Sequence, residues 1–266
     1  REASMQIGTK AVVLSARNME EHDRLVTLLT QDHGLVTAYA KGARRQKGTM
    51  ASATEQLSYS AFQLFRSREK TYVDKAEAET IFFAIRQEMD RLSLASYFCQ
   101  LCRELIPEGD TQPGYLHLMM NTLTLLDRGK LPLGQLKAVF ELRLLTMSGY
   151  MPDLVACAAC GSPPEGEVLF SPAAGVVYCG GCAPTAGVAP LSPGVFAAMR
   201  HIIYSEFGRL FSFRLPEEGL ARLERVSEDY LLAQVERVLP ALSFYRSLGY
   251  PPSPAATTTH QPINRG

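Results

Sequence analysis

Apolar positions in the first eighty residues recur with a period near two, and after Glu79 the period lengthens to that of a helix. Lys10–Ser15 is a short β-branched run, and His22–Thr30 carries Leu25, Val26, Leu28 and Leu29. Gln31-Asp32-His33-Gly34 reads as a turn closed by glycine, and Leu35–Ala40 resumes the strand pattern, so the three segments predict a β-hairpin. Gln56–Phe65 alternates Leu57, Tyr59 and Ala61 with polar partners. A charged turn, Arg66–Lys70, then leads into Thr71–Glu77. Short strands at this spacing predict a small closed barrel of the OB type.

Beyond Glu79, Met89, Leu92, Ser96, Cys99, Cys102 and Ile106 repeat at three and four residues, one face of a helix. Pro113 suits the first turn of a second helix bearing Leu116, Met120, Leu123 and Leu126, which stops near Gly129. A third begins near Leu133, shows Leu136, Phe140, Leu144 and Met147, and ends at Gly149 with Pro152 beyond. Residues 151–190 are rich in Gly, Pro and Cys. Helices then return: Ser192 is a favourable N-cap before Pro193, with Phe196, Met199, Ile203 and Phe207 as the apolar face. Leu220, Leu223, Val226, Tyr230 and Val235 mark the last long helix. The organisation is therefore α+β. Residues 1–5 are an extension or scar, 6–82 an OB-fold barrel, 83–150 a first helical part, 151–188 a ribbon, and 189–249 a second helical part. The Pro/Thr/Ala-rich residues 250–266 read as a disordered tail.

The chain has 266 residues, and its 27 Lys and Arg balance 27 Asp and Glu. Total charge thus gives no hint of a polyanionic partner, but its distribution does. Residues 1–70 hold 11 Lys and Arg against 7 Asp and Glu, an excess of 4 on the barrel. Lys41-Gly42-Ala43-Arg44-Arg45-Gln46-Lys47 carries four cations and no acid directly after a strand, and Arg66, Arg68 and Lys70 form a second basic turn. Basic loops on such a barrel suit a phosphate backbone, while Tyr39, Phe65 or Tyr72 are candidates to stack on bases. Read blandly, the same residues are a solvated loop and core aromatics. No run approaches the length of about 18 apolar residues that a membrane helix needs. Arg1–Lys10 lacks the apolar region of a signal peptide, and Met5 is the first plausible start.

Cys157-Ala-Ala-Cys160 and Cys179-Gly-Gly-Cys182 stand 18 residues apart, within the spacing of a four-cysteine zinc site. Each pair forms a knuckle if the turn is tight, and Gly161 and Gly180-Gly181 supply that freedom. Between them, Val168-Leu169-Phe170 and Val176-Val177-Tyr178 predict a hairpin, and the whole a zinc ribbon holding one structural Zn2+. With four cysteines there is no open position for catalysis. Cys99-Gln-Leu-Cys102 has the same spacing but lies on an apolar helix face, where cysteine packs as a small hydrophobe. This usage points to a reducing, cytoplasmic setting. The chain contains no complete phosphate-binding loop, no H-E-x-x-H and no G-x-S-x-G. His22, His33, His117, His201 and His260 are scattered without evident acidic partners. The expectation is a protein that handles nucleic acid without covalent chemistry. An RNA- or ribosome-associated zinc-ribbon protein is the alternative.

The order of elements and the local text resemble the RecO family of bacterial DNA-repair and recombination mediators. The matching text is Ala11-Val-Val-Leu14 with Glu21-His-Asp-Arg24, Leu28-Leu-Thr30 to Gly34, and Ala40-Lys-Gly-Ala-Arg-Arg45. Phe140–Leu145, Ser148–Leu154, Cys157-x-x-Cys160-Gly161 and Phe170-Ser-Pro172 to Gly175 continue it, so that the likeness spans about residues 6–240. The resemblance implies binding and annealing of single- and double-stranded DNA in the nucleoid. It also implies RecR as partner, often RecF, and help to RecA in displacing single-strand-binding protein. In some members the helical domain docks the acidic C-terminal tail of single-strand-binding protein. Lys137, Phe140 and Arg143 are the candidates here for an apolar pocket with a basic rim.

Overall fold

The computed structural model describes residues 5–45, 49–67 and 70–249. Lys47 and Arg68, the N-terminal extension before Met5 and the tail from 250 lie outside the described residues. Strands β1 (Met5–Met19), β2 (Asp23–Thr30), β3 (Leu35–Ala40), β4 (Ser58–Ser67) and β5 (Lys70–Ile81) form a closed barrel in the order β1-β2-β3-β5-β4. All pairings are antiparallel except β3 with β5, where Ala38 meets Thr71 and Tyr39 meets Tyr72. This is the expected OB-like barrel. A short helix α1 (Met50–Ala53) precedes β4.

β1 is far longer than its apolar run. It pairs with β4 over Met5–Val12 and with β2 over Ala11–Met19, with a bulge between Val13 and Ser15. One end of the strand pairs only with β4 and the other only with β2, neither burying a continuous apolar face, so alternation alone marks just the centre. That centre, Ala11–Leu14, is buried on both faces. Val13, Val26, Leu28, Phe62, Leu64 and Val73 fill the barrel. Val12, Leu14 and Leu29 join the core of the helical body instead.

The body comprises α2 (Phe83–Gln87), α3 (Met89–Leu105), α4 (Gly114–Arg128), α5 (Leu133–Met147), α6 (Pro193–Tyr204), α7 (Glu217–Val235) and α8 (Pro240–Ser247). α4 stops where its periodicity predicts: Gly129 takes φ +62°, and its N–H reaches the Leu125 and Leu126 carbonyls. Ser192 caps α6, its Oγ accepting the Val195 N–H at 3.4 Å, with Pro193 in the first turn. α6 ends at Tyr204, so Phe207 falls in a separate 3₁₀ turn, Phe207–Arg209, rather than on the helix face expected for it. Met89, at the start of α3, is exposed rather than part of its buried face. α5 is buried nearly all round, and Phe140 stacks on Phe98 with ring centroids 4.2 Å apart.

Between α5 and α6 the chain forms a second sheet from β6 (Asp153–Cys157), β7 (Val168–Ser171), β8 (Val176–Cys179) and β9 (Ala189–Leu191), in the order β6-β8-β7-β9. β7 and β8 are the anticipated hairpin; β6 and β9 flank it. Its inner residues Leu154, Phe170, Val177 and Leu191 belong to the main core. The sheet is pinned to α7. Phe170 meets the Tyr230 ring edge-on at 5.5 Å, the Tyr230 hydroxyl donates to the Tyr150 carbonyl at 3.0 Å, and Gln234 donates to the Pro172 carbonyl at 3.2 Å. Gly175, at φ +66°, lies so close to the Tyr230 ring that a Cβ there would stand 3.1 Å from it. Among the described residues no helix is long and apolar enough to cross a membrane.

Candidate metal centre and nucleic-acid interface

The four cysteines of the ribbon converge. Cys157 ends β6, Cys160 follows in its turn, Cys179 ends β8 and Cys182 follows in the next turn. Their Sγ atoms all lie within 4.8 Å of one another, and Cys160 and Cys179 are 4.0 Å apart. A tetrahedron of four thiolates about 2.3 Å from a zinc ion places its sulfurs about 3.8 Å apart, whereas a disulfide needs about 2.0 Å. The cluster therefore has the separations of a metal site, and all six cysteines are free thiols.

The first knuckle is built by its backbone. The Cys157 carbonyl accepts the Gly161 N–H at 2.9 Å, a turn that Gly161 permits by adopting φ +73°. Gly180 and Gly181 do not adopt positive φ, so the second knuckle makes no such demand. Backbone N–H groups of Cys160, Cys179 and Ala159 point at the Cys157 sulfur and lower its pKa to about 6. The Cys160 side chain, then burial, pushes Cys182 up to about 11, and burial and Cys157 push Cys179 up. The cluster alone thus favours the Cys157 thiolate and disfavours those of Cys179 and Cys182; a bound cation would supply the charge that offsets this. Cys99 and Cys102 are fully buried in α3, with burial raising the Cys99 thiol to about 12, as suits core packing.

On the barrel, the Lys41–Arg45 loop is braced against the β1–β2 turn. The Asp23 carboxylate accepts the Gly42 N–H at 2.7 Å, the Arg44 N–H donates to the His22 carbonyl at 3.0 Å, and Gly42 takes φ +65°. Lys41, Arg44 and Arg45 are exposed. Lys70 joins them across the sheet: Lys41, Arg45, Lys70, Tyr39 and Tyr72 line one hollow of about 520 Å³, and Glu20 and Asp23 line it too. Tyr39, Tyr72 and Phe65 are half-buried on the outer face, not packed in the barrel interior. Arg66 is exposed but, by strand alternation, lies on the opposite side of β4 from Phe65, and it does not line the hollow.

The structure corrects the expected protein-docking residues. Lys137 and Phe140 are wholly buried because α5 has no solvent face to present. The Lys137 ammonium lies 2.8 Å from Glu141 and 2.7 Å from Glu228. Burial pushes the lysine down in pKa, but the two carboxylates outweigh it and hold it above its ordinary value. The Tyr97 hydroxyl donates to Glu141 at 2.7 Å, the Ser227 hydroxyl at 2.6 Å, and Arg246 pairs with the far oxygen of Glu228. Arg143 is half-buried: it donates to the Ile203 carbonyl at 2.7 Å, closing α6, and its guanidinium lies 5.0 Å from the Phe207 ring.

Phe207 leads to a groove the sequence did not reveal. His117, Leu125, Arg128, Lys130, Leu131, Phe207 and Phe211 surround a volume of about 600 Å³ whose lining contains no acidic residue. His117 stacks on Phe207 at 4.7 Å. Half-buried Leu125, Leu131, Phe207 and Phe211 stand there beside exposed Arg128 and Lys130, from α4, the α4–α5 loop and the turn after α6. Such residues are about ninety positions apart in sequence, so no local spacing announces them.

Fold and site together define a class: an OB-like barrel with a basic, aromatic outer face, continuous with a helical body that carries a four-cysteine ribbon. Comparison with known proteins makes the class specific. The family model described as Recombination protein O N terminal matches residues 5–82, and Recombination protein O C terminal matches residues 86–243. The DNA repair protein RecO of Symbiobacterium thermophilum is 35% identical over 244 residues, covering 89% of this chain and 95% of that protein. That of Acetivibrio thermocellus is 31% identical over 241 residues, 90% of this chain and 96% of the relative. That of Desulforudis audaxviator is 32% identical over 247 residues, 92% and 98%. The chain belongs to the RecO family.

Proposed function

We propose that this protein is a non-enzymatic DNA-repair and recombination mediator that binds single- and double-stranded DNA through its barrel and promotes annealing. The observation that carries the reading is the convergence of Lys41, Arg45 and Lys70 around one hollow, with Arg44 beside it on a loop braced by Asp23. Cations fixed in this way neutralise the phosphates of strands that would otherwise repel, which is what annealing requires. Cys157, Cys160, Cys179 and Cys182 hold one structural Zn2+, which locks the ribbon onto the body and leaves no coordination position for chemistry.

The relatives are DNA repair proteins, which favours DNA over the RNA- or ribosome-associated alternative. On this reading the protein works in the cytoplasm with RecR, and functionally with RecF and RecA, on DNA covered by single-strand-binding protein. The acidic tail of that protein fits the groove of Arg128, Lys130 and Phe207 in charge and apolarity. The site therefore moves from Lys137 and Phe140 to the neighbouring surface that Arg143 underpins.

The test combines Arg44→Glu and Arg45→Glu. DNA affinity should fall for all sequences, and the slope of log K against log salt should shrink by about 2 on duplex DNA. Annealing of strands coated with single-strand-binding protein, with and without RecR, should fall in parallel. Unchanged DNA affinity in that variant, or tighter binding to RNA of the same sequence, rejects the reading. Arg128→Glu with Lys130→Glu should abolish capture of the acidic tail while leaving DNA binding intact.

A further inference from the structure

We infer that Tyr39 and Tyr72 make the barrel face distinguish unpaired from paired strands. The inference rests on the reading of that face as the DNA-binding surface. Tyr39 and Tyr72 are register partners on the parallel pair β3 and β5, and Phe65 is the partner of Tyr72 on β4. The rings form a row across three strands, Tyr39 to Tyr72 at 5.7 Å and Tyr72 to Phe65 at 5.7 Å. They lie outside the barrel core and half in solvent, so their size is not explained by filling the interior.

Two cations are parked on the tyrosines, in crossed fashion. The Lys41 ammonium lies 5.4 Å from the centre of the Tyr72 ring, and the Lys70 ammonium 5.5 Å from that of Tyr39. At an exposed site such contacts are weak and readily exchanged. A base that stacks on either ring takes the place of the ammonium, which remains beside the incoming backbone and pairs with its phosphate. Stacking and phosphate contact are thus coupled in one exchange. An unpaired strand has base faces to offer; in a duplex each face is covered by the neighbouring pair, and only phosphates and groove edges are presented. The lysines and arginines therefore serve both forms of DNA, and the tyrosines only one. Glu20 and Asp23 in the same lining temper its positive potential, so that phosphate density alone does not decide what binds.

The experiment is fluorescence anisotropy on a labelled oligothymidine and on a duplex of the same length, at one salt concentration. Tyr39→Ala with Tyr72→Ala should weaken single-strand binding about tenfold or more and leave duplex binding within about twofold. Tyr39→Phe with Tyr72→Phe keeps the ring faces and should restore single-strand affinity. Should the alanine variant melt early, Tyr39→Leu with Tyr72→Leu keeps apolar area without a π face and must show the same selective loss. Equal losses on both DNAs, or no loss on the single strand, overturn the inference. If Arg44→Glu with Arg45→Glu also leaves both affinities unchanged, the DNA reading of the barrel fails as well; if it lowers both, the role of the tyrosines fails alone.

Discussion

Replacing Lys137 by Met removes an ammonium held between two buried carboxylates. Its side chain is 1% exposed, that of Glu141 0% and that of Glu228 8%, so solvent cannot take over its role. Glu228 keeps Arg246 as a partner. Glu141 keeps only the hydroxyls of Tyr97 and Ser227 among the contacts described above. Breaking a buried pair from one side costs about 3–5 kcal/mol, and the two hydroxyls place this case near 3. For a chain of this size that lowers the melting temperature by about 6 °C. Lys137→Met with Glu141→Met removes the stranded carboxylate too, and should recover most of the loss. The pH dependence has a definite sign. Burial already raises Glu141 above the usual carboxylate value, and loss of Lys137 raises it further. A carboxyl whose folded pKa exceeds its unfolded one withdraws stability as pH rises above the unfolded value. The deficit should therefore be smallest at the acid end, near the ordinary glutamate value, and grow as pH rises toward the neutral and mildly alkaline range. Circular-dichroism melts of the three proteins across that range decide the matter. A single variant melting within about 2 °C of the parent at the upper pH, or a double variant less stable than the single, refutes the account. A surface lysine that bound only an acidic tail would leave the melt unchanged, since such positions contribute within about 0.5 kcal/mol.

Cys157→Ser should reduce bound zinc, measured by elemental analysis, from about one per chain to near zero, and should loosen ribbon amides in hydrogen exchange while barrel amides stay protected; retained metal contradicts the site. Burial raises Tyr97 well above its ordinary pKa and Tyr115 and Tyr230 to about 12. Their folded pKa values exceed the unfolded ones, so stability holds up to about pH 10 and falls as pH rises toward about 12, with a final step of phenolate absorbance appearing as the chain unfolds. Gly34→Ala places a Cβ against the Asp110 carbonyl at φ +61° and should cost about 2 kcal/mol or more, whereas Gly109→Ala, at φ +80° with nothing within 4 Å, should cost about 1; equal melts would remove the contact as the cause.

How much of this was legible depended on how local each signal is. The ribbon was readable because its ligands come as two pairs, each a short turn that sets its own geometry. The barrel was readable from alternation, yet the length of β1 was not, because its ends gain hydrogen bonds from two neighbours rather than apolar burial. α8 went unseen: it is one short helix after Glu236, which takes φ +47°, too brief for a period to register. Lys137, Phe140 and Arg143 fall at three-residue intervals and look like one face of a surface helix. They differ because α5 is central, and Lys137 is held not by solvent but by Glu141 on its own helix and by Glu228, more than ninety residues away. The groove at Phe207 shares that non-locality.

The barrel and the body are not joined by a tether. Leu57, buried and at φ +67°, joins Val12, Leu14 and Leu29 in the core of the helices. A left-handed leucine costs about 1–2 kcal/mol, which persists only where the surroundings hold it. Here the Leu57 N–H donates to the Val13 carbonyl at 2.9 Å, the Gln56 side chain donates to the Leu14 carbonyl at 3.0 Å, and Arg86 of α2 donates to the Gln56 carbonyl at 2.7 Å. On the other side, the β2–β3 turn at Gly34 abuts the backbone of Asp110 between α3 and α4. Two separated contacts, one apolar and one backbone to backbone, resist rotation about either. The basic aromatic face of the barrel and the groove beside α4 are thus held at a fixed separation and orientation. On the proposed reading, a strand released by single-strand-binding protein at the groove meets the barrel without any domain closure. The delivery would then depend on the reach of the partner's acidic tail rather than on motion within this chain.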